Sequence, residues 1–349
     1  MKRKSKYNVA VVGVGAVGIE MLRVLRQHRF PIKELRVFAR TARKISVDGY
    51  DYPVEKISSD GFNNIDFALF AGTEGEKGAA VTYAQDAVKR GAVVIDNGAD
   101  FRLEKNVPLV VPEVNGPDAK AHKGIIANPN CSTIQMVVAI APIHKKVKIK
   151  RIIVATYQAA SGAGRSALRQ LWGETNQIIS ATDLAGAVKN PMRCSKKDMA
   201  LPAQIVFNAI PHIGGFKDFG YTSEEWKMVH ETHKIFHTKK MKISATCVRV
   251  PVLNAHSEAI YIETEKPISA QKAITLLRKS RGIVVIDDVK KAKYPMPLEA
   301  SGSDMVFIGR IRKDPYVNNG LWLWVVSDNL KKGAATNAVQ IAEYLIGKY

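Results

Sequence analysis

The first third of the chain alternates short apolar runs with amphipathic stretches. Residues 8–12 (NVAVV) form an apolar run, and after a glycine-rich turn the apolar residues recur at helical spacing from Ile19 to Leu25. This order predicts a strand, a turn and a helix. The same pattern predicts strands at Leu35–Phe38, Phe67–Phe70 and Val93–Asp96 and a helix at Ala79–Lys89. Strands that alternate with helices indicate an α/β, Rossmann-like domain whose parallel sheet binds its ligand at the carboxyl ends of the strands.

Beyond Cys131 the pattern becomes that of a mixed α+β domain. Its predicted strands are β-branched and alternate polar with apolar residues. The expected elements are helices at Thr133–Ile143, Glu224–Phe236 and Ala270–Arg278 and strands at Ile152–Ala155, Ser244–Val252 and Ile260–Glu263. The amphipathic segment Ala334–Ile346 is expected to pack back against the first domain. We therefore assign residues 1–131 and 330–349 to a nucleotide-binding domain and residues 132–329 to a second domain.

Length and cysteine content narrow the class of protein. A chain of 349 residues has room for about two domains, and it can bury a large core without metals or disulfides. No apolar run approaches the length that spans a bilayer, so we expect no membrane association. Three cysteines without metal-ligand spacing argue against a metal site and fit a reducing, cytoplasmic location.

The positive charge of the chain raises the question of a nucleic-acid partner. Lys and Arg number 52 and Asp and Glu 32, which gives a formal net charge of +20. The basic residues are scattered, and the densest groups lack helix-turn-helix, zinc-finger or aromatic RNA-binding signatures. These groups are Lys2–Lys6, Lys145–Arg151 and Lys290–Lys293. We expect solvated basic faces and no specific nucleic-acid partner, with a weak attraction to polyanions left open.

A glycine-rich turn follows the first predicted strand. The turn reads Gly13-Val-Gly15-Ala16-Val17-Gly18 and opens a helix, which is the context that a dinucleotide-binding fingerprint requires. Glycines let the backbone approach a pyrophosphate at the positive end of the helix. The alternative is a tight turn without a ligand, and the pattern favours the dinucleotide site.

The residues after the second predicted strand indicate which dinucleotide is bound. Sites that prefer NAD place an acidic residue about 20 residues after the glycines, where it binds the ribose hydroxyls. This chain has Arg40 and Thr41 there, followed by Arg43 and Lys44, and no acidic residue. A cation and a hydroxyl suit an added 2′-phosphate, so we predict NADP. The alternative is that these residues are only loop charges.

Cys131 lies in the sequence Asn-Pro-Asn-Cys-Ser-Thr-Ile, between a turn and a predicted helix. Pro129 restricts Asn128 to an extended conformation, so Cys131 is expected at or just before the amino terminus of the helix. A helix amino terminus and nearby cations lower a thiol pKa and create a nucleophile. The alternative is an inert packing cysteine, which is how we interpret Cys247.

Seven longer stretches resemble aspartate-β-semialdehyde dehydrogenases. They are NPNCSTIQM (128–136), ATYQAASGAG (155–164), NAIPHI (208–213), EEWKM (224–228), TCVRVPVLNAHSEA (246–259), FIGRIRKD (307–314) and VVSDNLKKGAA (325–335). The resemblance covers nearly the whole chain. It implies a Rossmann-like NADP-binding domain and an α+β catalytic and dimerisation domain of the semialdehyde dehydrogenase type, in a homodimer.

The resemblance also implies a reaction. In that family NADPH reduces L-aspartyl-4-phosphate to L-aspartate-4-semialdehyde through a cysteine thioester, with release of phosphate, in lysine, threonine, methionine and diaminopimelate biosynthesis. Cys131 matches the nucleophile and His256 the acid/base histidine. Gln158 matches the residue that orients the thioester. Without the resemblance, a lone histidine more often packs in a core, and Gln158 is an exposed loop amide.

The remaining site residues are matched to the family in the same way. Arg249 lies on an apolar strand face, where an unpaired guanidinium is costly, so it needs a carboxylate partner. The resemblance implies that the partner is the substrate carboxylate, and an internal Asp or Glu is the alternative. The other matches are Arg102 and Lys227 for the phosphate, Glu224 for the substrate amine, Asn130 for the phosphate or thiolate, and Ser161, Gly162 and Asn329 for the nicotinamide half of the cofactor.

Two alternative functions remain open at this point. The stretch Asp96–Arg102 (DNGADFR) leans toward N-acetyl-γ-glutamyl-phosphate reductase, a sister enzyme that acts on a longer acyl phosphate. The Asn130-Cys131-Ser132 sequence favours the shorter substrate, because the sister enzyme usually has Gly-Cys-Tyr. The second alternative is a basic Rossmann-like binding protein without catalysis. Such a protein has no use for Cys131, His256, Gln158 and Arg249 together.

Overall fold

The computed structural model describes residues 4–72, 78–181 and 199–349. Cys194 lies outside these residues. The described chain forms two sheets with helices packed against them, one in each domain. None of the described helices combines the length and the apolar character needed to cross a bilayer.

The first domain contains a seven-stranded sheet in the order β3-β4-β2-β1-β5-β6-β7. Its strands are β1 (Tyr7–Val12), β2 (Ile32–Ala39), β3 (Arg43–Val47), β4 (Tyr50–Lys56), β5 (Phe67–Phe70), β6 (Val93–Asp96) and β7 (Ile125–Ala127). Strand β1 pairs in parallel with both β2 and β5, so the strand order reverses beside it. This reversal is where α/β sheets bind their ligands.

The helices of the first domain cover both faces of this sheet. They are α1 (Ala16–Gln27), α2 (Ala79–Lys89), α3 (Pro112–Asn115) and α9 (Thr336–Leu345), with short 3-10 turns at Ser59–Phe62 and Gly116–Ala121. Helix α9 buries Ala338, Val339 and Ile341 in the same core as Val9 and Leu22. The prediction that the last segment returns to the first domain is therefore confirmed.

The second domain contains a six-stranded sheet in the order β11-β12-β13-β10-β8-β9. Its strands are β8 (Ile149–Gln158), β9 (Lys242–Arg249), β10 (His256–Thr264), β11 (Ile283–Val285), β12 (Val306–Lys313) and β13 (Gly320–Ser327). The helices are α4 (Cys131–Val147), α5 (Gly164–Ala181), α6 (Ser223–Ile235), α7 (Ala270–Arg278) and α8 (Pro297–Ala300), with 3-10 turns at Ala160–Ala163, Asp218–Gly220 and Val289–Lys291. A π-helical turn at Lys331–Ala335 returns the chain to the first domain and leads directly into α9.

Helix α4 forms the core of the second domain. Its residues from Ile134 to Ile143 share one apolar cluster with Ile152, Ile260 and Leu323 of the sheet. The other face of the sheet carries aromatic side chains, with the Tyr157 and Trp324 rings 5.5 Å apart. One face of the sheet thus packs on α4, and the opposite face is free of the helix.

The observed elements differ from the prediction in several places. We expected a parallel sheet, but β3 and β4 form an antiparallel hairpin at its edge. The segment 43–56 is rich in charged residues and mostly exposed, so its apolar signal is weak. Strand β9 ends at Arg249, earlier than the predicted Val252, because the chain turns away before Pro251. The short β7 and the helix α5 were also not predicted.

His28 links the end of α1 to both α9 and the second domain. Its Nε2 lies 3.3 Å from Asp304 and its Nδ1 lies 3.2 Å from Glu343. Hydrogen bonds to Asp304 and then Glu343 raise the pKa of His28 to about 9, and burial opposes them. The imidazole is therefore positively charged at neutral pH and pairs with two carboxylates.

Replacing His28 with asparagine is expected to flatten the dependence of stability on pH. The pKa of His28 is raised from 6.5 to about 9, so its contribution is complete below about pH 6.5 and is lost as the pH rises through about 9. Urea unfolding of both proteins across this range measures the effect. Parallel stability curves for His28→Asn and the unsubstituted protein would show that the ion pairs contribute nothing.

Candidate active site

A cavity of about 760 Å³ opens where the two domains meet. Sixteen of the eighteen site residues that the sequence predicted line it. They are Gly13, Gly15, Ala16, Val17, Gly18, Arg40, Arg102, Asn130, Cys131, Gln158, Ser161, Gly162, Glu224, Lys227, Arg249 and Asn329. The two exceptions are His256, which is fully buried, and Thr41, which is exposed. Among the described residues, no cluster of His, Cys, Asp and Glu side chains is arranged to hold a metal.

Strand register brings three of the predicted side chains into one row. Gln158 is paired with Arg249 on the parallel strand β9. Ser257 is paired with Tyr157 on the antiparallel strand β10, which places His256 beside Gln158. Because residues at equal height in a sheet project to the same face, these side chains stand next to one another on the face that packs against α4.

Cys131 is the first residue of α4. Three residues connect β7 of the first sheet to this helix. Asn130 is the N-cap, and its side-chain oxygen accepts hydrogen bonds from the backbone N–H groups of Ser132 and Thr133 at 3.0 and 3.2 Å. The predicted position of the cysteine at a helix amino terminus is therefore confirmed, and the cap sets the direction of its first turn.

The ionisation of Cys131 differs from the prediction. Burial raises the pKa of its thiol to about 12, and the Glu224 carboxylate acts in the same direction. Arg249 and Arg102 oppose these effects without overcoming them. This shift is opposite in direction to the lowered pKa predicted from the helix amino terminus and the nearby cations. Desolvation of the sulfur outweighs the helix amino terminus and the two arginines.

The environment of His256 fixes its tautomer. Its Nδ1 lies 3.0 Å from the backbone N–H of Ala159 and must accept that hydrogen bond, so the proton of the neutral ring sits on Nε2. Nε2 has no protein partner among the described residues. Burial, followed by the charge of Arg249, holds the pKa of His256 well below its usual value. The ring is thus a neutral donor at Nε2.

Gly162 separates His256 from the cavity. A Cβ atom at this glycine would lie 2.9 Å from both His256 Cε1 and Arg249 Nη1. A larger residue at position 162 would therefore displace both side chains. The ring of His256 lies directly beneath this glycine and does not itself line the cavity.

Two neighbours orient the amide of Gln158. Its oxygen lies 3.1 Å from the hydroxyl of Thr156, which donates to it. Its nitrogen donates to Glu224 Oε1 at 3.2 Å, and the same oxygen accepts from the Asn130 side chain at 2.8 Å. The amide nitrogen of Gln158 and the carboxylate of Glu224 are therefore held against the cap that precedes Cys131.

Arg249 is a buried guanidinium without an ion pair. It is 5% exposed, and its Nη1 donates to the carbonyl of Ala159 at 2.7 Å. Among the described residues, no carboxylate lies within 4.0 Å of it, and its Nε has no hydrogen-bond partner. An internal Asp or Glu partner, the alternative raised from the sequence, is therefore absent from the described chain. The unpaired charge faces the cavity.

Arg102 is tied to the wall of the site. Its Nη1 lies 3.0 Å from Glu231, and its other nitrogens donate to the carbonyls of Asn128 and Asn97 at 2.9 Å. The sequence did not identify Glu231, which also accepts from the Asn130 backbone N–H at 2.6 Å. Glu231 lies in the third turn of an ordinary amphipathic helix, so only the fold shows that it faces the site.

Glu224 and Lys227 lie together on the cavity side of α6. Their charged atoms are 3.7 Å apart. Glu224 is 7% exposed. From the sequence alone this pair is most simply a surface salt bridge, but the structure places it in the wall of the cavity, next to Gln158 and Asn130.

The glycine turn fits the predicted dinucleotide site. Gly13 has a positive φ of 97°. A Cβ atom at Gly18 would lie 1.9 Å from the carbonyl oxygen of Gly13. At Gly15, by contrast, a Cβ atom would meet nothing within 4 Å, so this glycine leaves open space before the amino terminus of α1. The turn is therefore closed on the helix side and open toward the cavity.

The residues beyond β2 only partly match the prediction. Arg40 and Arg43 both line the cavity, whereas Thr41 does not. Arg43 begins β3, and the antiparallel hairpin turns it back toward the site. The hairpin was not predicted, which explains why Thr41 was named in place of Arg43.

Ser161 and Asn329 form a hydrogen-bonded unit. The Asn329 amide nitrogen lies 2.9 Å from the Ser161 hydroxyl, and its amide oxygen accepts from the backbone N–H of Ala255 at 3.0 Å. Ala255 precedes His256 in the chain. The two residues that were matched to the nicotinamide subsite are thus linked to the backbone next to the buried histidine.

Two family models match most of this chain. Residues 8–122 match the NAD-binding domain of semialdehyde dehydrogenases, and residues 140–332 match their dimerisation domain. The chain therefore belongs to the semialdehyde dehydrogenase family. Its first domain is a nicotinamide-dinucleotide-binding domain, and the predicted two-domain fold is confirmed.

Individual relatives narrow the family further. The aspartate-semialdehyde dehydrogenase of Aquifex aeolicus is 49% identical over 348 residues, which are 97% of this chain and 98% of the relative. That of Bacillus subtilis is 46% identical and covers 97% of each chain. A crystal structure of aspartate semialdehyde dehydrogenase II from Vibrio cholerae complexed with ASA matches with a TM-score of 0.90 and 41% identity, covering 99% of this chain and 100% of that one.

Within the family, the chain thus groups with the aspartate-semialdehyde dehydrogenases, and it is an oxidoreductase. The resemblance found from the sequence motifs is confirmed. The comparisons favour this assignment over N-acetyl-γ-glutamyl-phosphate reductase and over a binding protein without catalysis.

Replacing Glu224 with glutamine is expected to speed alkylation of Cys131 by iodoacetamide at mildly alkaline pH. The Glu224 carboxylate raises the pKa of the thiol, so removing its charge increases the thiolate fraction. A pKa lower by one gives about ten times more thiolate, but the thiolate of a more acidic thiol is also a weaker nucleophile. Alkylation therefore becomes only about threefold faster. Peptide mass spectrometry separates Cys131 from the other cysteines.

Arg249→Met serves as the opposite variant in this experiment. Arg249 lowers the pKa of the thiol, so its loss is expected to slow alkylation. Rates that move in the same direction in both variants would mean that access to the sulfur, and not its ionisation, controls the reaction.

Proposed function

We propose that this protein catalyses the reversible, NADPH-dependent reductive dephosphorylation of L-aspartyl-4-phosphate to L-aspartate-4-semialdehyde, a step of lysine, threonine, methionine and diaminopimelate biosynthesis. The observation that carries the proposal is the buried Arg249 guanidinium, which has no ion pair within the described chain and faces the cavity beside Cys131. A substrate with an α-carboxylate supplies the missing partner through a bidentate pair.

The substrate amine is assigned to Glu224. This carboxylate is buried in the cavity wall, and its closest cation, Lys227, is 3.7 Å away. An ammonium group that binds Glu224 and a carboxylate that binds Arg249 together recognise an α-amino acid. Glu224 and Arg249 line the same cavity as Cys131. When they bind the ammonium and the α-carboxylate, the side chain of the substrate is left to point at Cys131.

Because the Cys131 thiol is protonated in the ligand-free protein, acyl transfer also requires removal of the thiol proton. The Cys131 sulfur attacks the acyl carbon, the bond from that carbon to the phosphate oxygen breaks, and the thiol proton leaves on the phosphate. Arg102 and Lys227 are the cations placed to receive the phosphate. Arg102 is held by Glu231, which fixes its direction but neutralises part of its charge, so Lys227 carries more of the attraction.

His256 and Gln158 are assigned to the carbonyl oxygen of the thioester. The donors are the Nε2–H of His256, which has no protein partner among the described residues, and the amide N–H of Gln158, a residue that lines the cavity together with Cys131. Donors aimed at an oxygen that gains negative charge lower the barrier. A bound NADPH would supply the hydride that reduces the thioester to the aldehyde, and the carbon–sulfur bond breaks so that Cys131 leaves as the thiolate.

The cavity fits a dinucleotide with a 2′-phosphate. The glycine turn opens toward it before the amino terminus of α1, and Ser161 and Asn329 line its other end. Arg40 and Arg43 lie beyond β2, where a ribose 2′-phosphate requires cations, and none of the described residues that line this part of the cavity is acidic. These residues support NADP as the cofactor.

The open face of the second sheet is the surface that we assign to dimerisation. It carries Tyr157 and Trp324, with Tyr261 and Trp322 stacked 5.0 Å apart beside them. Aromatic side chains are enriched in protein interfaces. The domain boundaries near residues 131 and 330 and a cytoplasmic location complete the proposal.

The direct test is thiol-dependent reduction of NADP with aspartate semialdehyde and phosphate. Cys131→Ala is expected to lower kcat by at least about a thousandfold, because the covalent step is lost. Cys247→Ala is the matched control and is expected to retain activity, since Cys247 is buried in the core. Absence of activity in the folded wild-type protein, or full activity of Cys131→Ala, would overturn the proposal.

The cofactor assignment has a separate test. Arg43→Ala is expected to raise the KM for NADPH by about tenfold, the effect of losing one charge-assisted hydrogen bond, and to leave the KM for NADH unchanged. Lys44→Ala is the control, because Lys44 pairs with Asp51 at 2.7 Å and does not line the cavity. An equal effect of Arg43→Ala on both cofactors argues against 2′-phosphate recognition.

A further inference from the structure

Lys332 is a completely buried lysine behind the nucleophile. Its side chain is 0% exposed, and it pairs with Glu113 of α3, whose two carboxylate oxygens lie 2.7 and 2.8 Å from the ammonium nitrogen. The same nitrogen lies 2.7 Å from the side-chain oxygen of Gln340 and 3.2 Å from that of Asn337. The reaction described above does not use this pair, and none of the four side chains lines the cavity.

The first connection from Lys332 to Cys131 runs through the next residue in the chain, Gly333, which contacts the cysteine. Lys332 lies in the π-helical turn Lys331–Ala335, a rare conformation that often marks functional sites. Gly333 of this turn packs so closely on the nucleophile that a Cβ atom there would lie 2.8 Å from Cys131 Cβ. The position of the π-helical turn therefore limits the position of the cysteine.

The second connection runs through side chains to the turn before Cys131. Lys332 donates to Asn337, and the Asn337 amide donates to the side-chain oxygen of Asn128 at 2.7 Å. Asn128 is fully buried and begins the connection from β7 to α4. Its carbonyl oxygen accepts from Arg102. Lys332 thus acts on Cys131 from both sides, through Gly333 and through Asn128.

We propose that the Lys332–Glu113 pair is a positioning device for the nucleophile, and that Lys332 is a positioning residue of the reaction. The pair holds the π-helical turn against α4 and holds the Asn128 turn in register with it. The sulfur is thereby kept at a fixed distance from the row formed by Gln158, Arg249 and His256. The role of the pair in catalysis rests on the proposed function, whereas its role in placing the sulfur does not.

A double variant separates positioning from stability. Removing one partner of a buried ion pair leaves an uncompensated charge and destabilises the fold, whereas removing both charges is often neutral. The single variant Lys332→Met is therefore ambiguous. The double variant Glu113→Gln with Lys332→Met removes both charges of the pair. It also loses the hydrogen bonds that hold the π-helical turn in place.

The double variant is expected to fold with a Tm close to that of the wild type and to lose about ten- to a hundredfold in kcat, the cost of misplacing a reacting group by a fraction of an ångström to an ångström. The KM for aspartate semialdehyde is expected to stay unchanged, because Arg249 and Glu224 are not altered. A purely structural role predicts wild-type kcat in a folded double variant, and that result would overturn the inference.

Lys331→Met is the matched control. Lys331 is the preceding residue and is also buried, but its ammonium nitrogen binds Gln27 and the Gly302 carbonyl at 3.0 Å and lies 3.4 Å from Asp304. These contacts lead away from Cys131, so kcat is expected to stay within about twofold of the wild type. A loss of kcat in Lys331→Met equal to that in the double variant would contradict the inference, because the effect would then not be specific to the Lys332–Glu113 pair.

Alkylation of Cys131 by iodoacetamide tests the positioning without any substrate. Its rate is expected to change in the double variant and to match the wild type in Lys331→Met. This readout holds whether or not the protein reduces aspartyl phosphate, so failure of the proposed function leaves it intact. Unchanged alkylation in the folded double variant would refute the inference by itself.

Discussion

The active site depends on the short connection between the two sheets. Strand β7 ends at Ala127 and α4 begins at Cys131, so the chain leaves the carboxyl edge of the dinucleotide-binding sheet and enters the core helix of the second domain within three residues. Parallel α/β sheets bind ligands at that edge. The same three residues therefore fix the cysteine relative to both the cofactor cavity and the row on β8, β9 and β10.

Burial at this junction has opposing consequences for the chemistry. Desolvation raises the pKa of Cys131 and lowers that of His256, so both groups are neutral in the ligand-free protein. The same low polarity strengthens the attraction of Arg249 and Glu224 for a charged ligand. Affinity for a charged ligand and a neutral thiol thus arise from one cause.

Much of this arrangement was predictable from local patterns. Helices α2 and α7 and strands β5 and β6 begin and end where the apolar periodicity predicts, and the glycine turn and the helix start at Cys131 have clear signals. The hairpin β3–β4 was missed because its charged, exposed residues bury few apolar side chains. That omission also led to Thr41 being chosen for the cavity in place of Arg43.

The sequence by itself determined the order of the elements, the dinucleotide turn and, through its motifs, the family and the side chains that match its active site. Only the tertiary structure decided their charges and contacts. Glu231 binds Arg102, Gly333 contacts Cys131 and Lys332 is buried against Glu113, and none of these pairs is close in the chain. The physical reason is that ionisation and close packing depend on the distance between atoms and on access to water. Both are set by how distant segments meet.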